Sequence, residues 1–102
     1  MGKVSLLGRV ARAALLRWQE SKCAVCKRSF GPSRVACIDH DHRTGLIRGA
    51  LCWRCNDMLG LYHDDASLFY AAWWYLRCPP AVRAIGEHYA PGSPGAAGKE
   101  VS

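Results

Sequence analysis

The sequence predicts a small α+β fold: a β-hairpin that runs into a short helix, stabilised by a structural zinc and flanked by further helices. Three observations predict it. Two Cys-x-x-Cys pairs, Cys23-Ala-Val-Cys26 and Cys52-Trp-Arg-Cys55, stand 25 residues apart, a four-cysteine zinc pattern somewhat longer than the usual ribbon spacing. Between the pairs, two short apolar runs flank Arg43-Thr44-Gly45, which reads as a turn. Outside them, residues 3–20 and 66–77 carry helical patterning.

The chain has 102 residues, a length that gives one domain with a modest core, for which a bound metal is a common remedy. The expected organisation is a basic amphipathic helix over 1–20, a metal-stabilised domain over 21–90 and a disordered tail over 91–102. In residues 3–20, Leu6, Leu7, Val10, Ala14, Leu15 and Trp18 recur at helical spacing, with Arg9, Arg12, Arg17 and Gln19 elsewhere. Such a helix either docks on the domain through its apolar stripe or offers its arginines to phosphates. Ser21 to Arg28 form the first cysteine knuckle, and Val35 to Ile38 a short strand leading into Asp39. Leu46 to Leu51 return as the second strand. Cys55 to Gly60 form a short helix, ended by Gly60.

Asp64 or Asp65 is placed to cap the next helix, Ala66–Arg77. That helix is apolar nearly all round and carries one charge, Arg77. Such a helix is buried on more than one side. Either it lies centrally in the monomer or a second subunit covers one face, making a homodimer. Pro79-Pro80 stops it, and Ala81 to Tyr89 can form a last short helix interrupted by Gly86. The Gly-, Pro-, Ala- and Ser-rich end fits the disordered tail.

The formal net charge is +6, distributed unevenly. Residues 1–54 hold 11 Lys/Arg against 3 Asp/Glu, and residues 55–102 hold 3 against 5. A basic half beside a near-neutral half points to a polyanion on one face, although solvated surface charge is the plainer alternative. No run is long and apolar enough to span a bilayer. The N-terminal residues lack a secretory pattern, so a cytoplasmic protein is expected. In a reducing compartment the paired cysteines favour zinc over disulfides. Cys37 and Cys78 are left over, one on a strand and one ending a helix.

Cys23, Cys26, Cys52 and Cys55 offer four soft thiolates. These suit a closed tetrahedral zinc site with no open position for water, so the zinc is structural. Asp39 and Asn56 offer a carboxylate and an amide, hard oxygen donors of the kind that suit Mg2+ or Mn2+. Asn56 is otherwise a natural helix N-cap. Asp39-His40-Asp41-His42 places two imidazoles, the side chain that titrates nearest neutrality, beside two carboxylates. Neighbours on an ideal strand face opposite ways, so Asp39 and His40 share a site only where the strand ends, bends or bulges. His63 reads as a loop histidine outside this constellation.

This ordered set resembles the recombination endonuclease VII family, a branch of the His-Me finger, HNH-like or ββα-metal nucleases. The resemblance runs from about Cys23 to Leu76. It rests on the two cysteine pairs, Asp39-His40-Asp41-His42, Gly45-x-x-Arg48-Gly49-x-Leu51, Asn56, Leu59-Gly60 and Ala72-x-x-Tyr75-Leu76. It implies a zinc-stabilised ββα-metal core and hydrolysis of DNA phosphodiesters to 5′-phosphate and 3′-hydroxyl ends. Asp39 and Asn56 would hold a catalytic Mg2+ or Mn2+, His40 would be the general base, and His42 would donate to the phosphate. Arg43, Arg48 and Arg54 would contact DNA, Arg48 matching the family's Arg-Gly in the return strand. The family is associated with phages and with cutting branched DNA such as Holliday junctions. One departure concerns the wider HNH pattern, which places an Asn between the strands to orient the histidine. Arg43 to Leu51 has none, leaving a backbone carbonyl or Asp41 to hold His40. Two alternatives stay open: a zinc-ribbon-like DNA-binding module without catalysis, and a toxin-type nuclease acting on RNA.

Overall fold

The computed structural model describes residues 6–97. It is a small α+β structure with one two-stranded sheet and four helices. In order these are α1 (Arg9–Trp18), β1 (Cys37–His40), β2 (Ile47–Leu51), α2 (Trp53–Leu61), α3 (Ala66–Arg77) and α4 (Pro80–Ile85), followed by a 3-10 turn at Pro94–Ala96. Two compact units divide after Asp64. Among the described residues, no helix is long and apolar enough to cross a membrane.

The first unit is built on the cysteines. Its buried apolar residues are Cys23, Ala50, Leu51, Cys52 and Cys55, with Ala24, Phe30 and Leu59 packed around them. Three of those five are members of the paired motif, so the cysteine cluster is most of the core. So few buried hydrocarbon groups supply little hydrophobic stabilisation by themselves. The first knuckle is closed by backbone bonds from Cys23 N–H to Arg28 O and from Lys27 N–H to Cys23 O, with Lys27 in the left-handed region at φ 67°.

β1 and β2 pair antiparallel, with Cys37 opposite Leu51 and Asp39 opposite Gly49. The register then shifts: His40 lies opposite Ile47, leaving Arg48 as the extra residue of a bulge. The first strand lies further along the chain than the expected Val35 to Ile38. It takes in Asp39 and His40, because the loop is shorter than the polar stretch suggests. Asp41 Oδ1 accepts from the N–H groups of Arg43 and Thr44 at 2.8 and 3.2 Å, and Gly45 N–H donates to Asp41 O with Gly45 at φ 83°. These amides, backed by Arg43 and Arg48, hold the Asp41 carboxyl below the usual carboxylate range. Of the two groups expected to hold His40, a backbone carbonyl or Asp41, Asp41 is thus engaged in the turn through Oδ1.

α1 is shorter than expected, starting at Arg9 after Gly8, while residues 3–5 lie outside the described ones. No residue of α1 is buried, and Val10 and Trp18 of the apolar stripe are exposed. The helix is fastened by a polar residue instead. Gln19 Nε2 donates to the carbonyls of Lys22 and Ala50, and Ala50 N–H donates to Gln19 Oε1, all within 2.8–2.9 Å. The Gln19 amide pairs with both backbone groups of Ala50 as another strand would. It closes the outer edge of β2 next to Ala24, whose N–H also reaches Ala50 O.

α2 begins two residues before the expected Cys55, with Cys52 as N-cap, and passes through Gly60 to Leu61. It ends in a Schellman motif: His63 N–H bonds to Gly60 O and Asp64 N–H to Leu59 O, with His63 and Asp64 at φ 55° and 56°. Two left-handed residues, rather than a glycine, stop the helix.

In the second unit, Asp65 caps α3 by accepting from the Ser67 N–H at 2.9 Å and the Ser67 hydroxyl at 2.6 Å. α3 has the expected bounds, and Cys78 is its C-cap. Its expected burial within the monomer is not found: no residue of α3 is buried. Instead Tyr70 lies parallel to Trp73, Trp74 meets both edge-on, and the Arg77 guanidinium lies 5.4 Å from the Trp73 ring centre. α4 starts at Pro80 and is ended by Gly86 at φ 80°, before the expected Tyr89. The expected tail over 91–102 holds the 3-10 turn, and its last five residues lie outside the described ones.

Candidate metal centre and active-site groove

The ligand atoms of Cys23, Cys26, Cys52 and Cys55 all lie within 4.8 Å of one another. Cys26 Sγ and Cys52 Sγ are 3.8 Å apart. A tetrahedron with Zn–S bonds of about 2.3 Å has edges of about 3.8 Å, so the cluster has the size that zinc requires. None of the cysteines is in a disulfide. Burial raises the Cys23 thiol, but the N–H groups of Cys26, Cys52 and Val25 outweigh it and bring the group down to about 6. The same desolvation, together with the surrounding sulfurs, pushes Cys55 up to about 12. The cluster thus favours the thiolate at Cys23 and resists it at Cys55. A bound cation would displace the Cys55 proton, since metal ligands bind as thiolates.

Holding Cys55 at this cluster fixes the rotation of α2. Asn56 is one position on, about 100° round the helix, and faces a groove. That groove is lined on the helix side by Asn56, Asp57, Gly60 and Leu61, and elsewhere by Asp39, His42 and Asp64. Asn56 sits inside the first turn of α2 rather than at its cap, since its N–H donates to Cys52 O at 3.0 Å. The N-cap explanation for Asn56 therefore falls away.

Asp39 is 5% exposed and forms a bidentate pair with Arg48: Nε to Oδ2 at 2.7 Å and Nη2 to Oδ1 at 3.1 Å. Arg48 Nη2 also reaches Asp64 Oδ1 at 3.2 Å. The hydrogen bond to Asp39 is the main reason the guanidinium holds its proton still more tightly than usual. The bulge lets the pair form, because Arg48 is its extra residue opposite the Asp39–His40 step. A carboxylate has about four lone-pair sites, so Asp39 keeps capacity for a further ligand.

His42 Nδ1 is 3.6 Å from Asp64 Oδ2, and the His40 and His42 rings are 4.7 Å apart. The structure therefore gathers Asp39, His42 and Asn56 in one groove and sets His40 against His42, although His40 is not among the groove's lining residues. Arg43 and Arg54 are exposed and outside the lining. Asp57 and Asp64 are groove residues that the motif did not single out. The signal for Asp64 was the doublet Asp64-Asp65, where one aspartate suffices to cap α3.

With this geometry the comparisons can be placed. The chain matches the recombination endonuclease VII family over residues 4–78. It belongs to that family. It is 43% identical over 79 residues to the Gene 59 protein of Mycobacterium phage D29, and 42% over 78 residues to that of Mycobacterium phage L5. Each match covers 76% of this chain and 48% of the relative, so the chain spans about half the length of the curated relatives it matches. No solved structure gives a significant match.

The cluster predicts one zinc per chain in purified, reduced protein, measured by metal analysis. Cys52→Ser should lose that zinc, and with it the cooperative unfolding transition, because a metal that supplies most of the core also supplies most of the folding free energy. Folded, cooperative protein with negligible metal would contradict this.

Proposed function

We propose that this chain is a metal-dependent endonuclease of the ββα-metal, or His-Me finger, type. It hydrolyses DNA phosphodiesters, on branched recombination intermediates such as Holliday junctions or as a nickase. One observation carries the reading: Asp39 and His42 of the hairpin and Asn56 of α2 line one groove, with the His40 ring against His42, on a hairpin and helix joined through the four cysteines. A DNA-binding module without catalysis needs the cysteines and the basic face, but has no use for that convergence.

The donor set fits a hard divalent cation. Asp39 and Asn56 present oxygen ligands to the same groove, and Asp57 and Asp64 add negative charge around it. Mg2+ or Mn2+ held by Asp39 and Asn56 would supply Lewis-acid stabilisation of charge on the scissile phosphate and the leaving 3′-oxygen. The chain's own residues do the rest. His40 accepts a proton from the attacking water, and His42, held by Asp64, donates to the phosphate. Arg48 fixes the Asp39 carboxylate from behind and adds positive charge beside the groove. Arg43 and Arg54 lie on exposed surface where a phosphate backbone can reach them.

A second assignment is supported by one observation: His42 lines the groove and His40 does not. In that version the two imidazoles exchange roles. Supercoiled plasmid cleavage with Mg2+ separates them. His40→Ala should lose about 10²–10⁴ of the rate, as for a general base, with zinc content and melting temperature unchanged, and His42→Ala should lose less. The reverse order moves the base to His42. Equal rates for the parent and both variants reject the site, and no cleavage by the zinc-loaded parent favours the non-catalytic module. Plasmid, branched DNA and RNA compared in one assay assign the substrate.

The exposed aromatic surface of α3 supports a homodimer through Ala66–Arg77. A two-fold arrangement would present two sites to two strands. Sedimentation should give twice the chain mass at micromolar concentration, and a monomer in concentrated solution would remove the dimer while leaving the nuclease.

A further inference from the structure

We propose that the groove between the C-terminal end of α1 and the first cysteine knuckle is a subsite for an unpaired nucleotide of the DNA substrate. Trp18 is its stacking platform, and Lys22 and Lys27 are its phosphate contacts. The inference rests on the endonuclease reading and adds a substrate feature to it.

Trp18 is 85% exposed, at a position where helical periodicity calls for packing. It lines a groove with Leu15, Lys22, Lys27 and Arg48, in which Glu20 is the only acidic residue. Neither lysine is paired with a buried carboxylate. Lys22 is 3.8 Å from the exposed Glu20, a surface pair of little strength, and Lys27 donates to the Ala24 carbonyl at 2.8 Å. An indole face beside ammonium groups is the combination that single-stranded nucleic acid selects, with bases on the aromatic ring and phosphates on the cations. A paired, stacked base keeps both faces covered by its neighbours, so the platform serves only a base that has left the stack.

Continuity with the candidate site gives the direction of the strand. Arg48 lines this groove and also the adjoining one with Asp39 and Gly49, and Asp39 in turn lines the groove of Asn56 and His42. A strand bound at Asp39 and Asn56 reaches Trp18 over Arg48, and the acidic residues lining that route beyond the first groove are Asp39, paired with Arg48, and Glu20. Branch points and frayed ends are where DNA offers such a base.

The test uses the full zinc-loaded chain without added Mg2+, and fluorescence anisotropy with labelled oligothymidylate and with a blunt duplex. Trp18→Ala should weaken oligothymidylate binding roughly ten-fold or more, within the range that loss of one base–aromatic stack produces. Trp18→Phe should recover most of it, and duplex binding should change less than about two-fold in either variant, since phosphate contacts carry it. Parent-like oligothymidylate binding by Trp18→Ala overturns the proposal, as does an equal loss on duplex. A second measurement needs no variant: light-induced crosslinking of a 5-iododeoxyuridine strand to the parent, mapped by mass spectrometry. A crosslink at Trp18 supports the subsite, and crosslinks confined to other residues overturn it. Plasmid cleavage by the parent, run in parallel, keeps the two readings apart. Cleavage with unaltered binding by Trp18→Ala removes the subsite alone, and stacking without cleavage removes the catalytic reading alone.

Discussion

Four sulfur atoms within 4.8 Å of one another are the constraint on which the first unit depends. With so few buried apolar residues, the hairpin and α2 have little else to pack against. The cluster ties the knuckle at Cys23 and Cys26 to the junction of β2 and α2 at Cys52 and Cys55. It thereby closes a loop of the chain that contains the hairpin. The same attachment sets which face of α2 is turned inward. Asn56 reaches the groove because Cys55, its neighbour, cannot turn away.

A second constraint acts within the sheet. The bulge at Arg48 changes the pairing at the Asp39–His40 step, and Arg48 spans Asp39 and Asp64. A buried carboxylate without a partner is costly. Arg48 removes that cost for Asp39 while leaving part of its acceptor capacity unused. The left-handed His63 and Asp64 then turn the chain so that Asp64 faces Arg48 and His42. Cysteine cluster, bulge and Schellman turn each fix one wall of the groove.

Much of this was legible in the sequence because spacing carries it. Cys-x-x-Cys repeated once states a metal site, and Arg43-Thr44-Gly45 states a turn. Asp65 before an apolar run states a cap. That the strand ends, bends or bulges if Asp39 and His40 share a site followed from strand alternation, and the structure has a bulge there. What was not legible depends on partners remote in sequence. Gln19 replaces a strand at Ala50, 31 positions away, and no local pattern distinguishes that glutamine from a solvated one. The stripe Val10 and Trp18 reads as a packing face, but periodicity cannot say what lies opposite, and in this structure both are exposed. Asp64 looked like one of two equivalent caps until the C-terminal turn of α2 pointed it into the groove. For α3, apolar composition predicted burial, and the chain does not bury it.

The central claim is that the four-cysteine cluster, by binding zinc, holds the hairpin and α2 together as one folding unit. Amide hydrogen exchange with and without zinc tests it most directly. The account predicts that β1, β2 and the first turns of α2 are protected in the zinc-loaded protein. On removal of the metal from reduced protein they should lose that protection together. Protection of the hairpin and α2 that survives complete loss of zinc would contradict it.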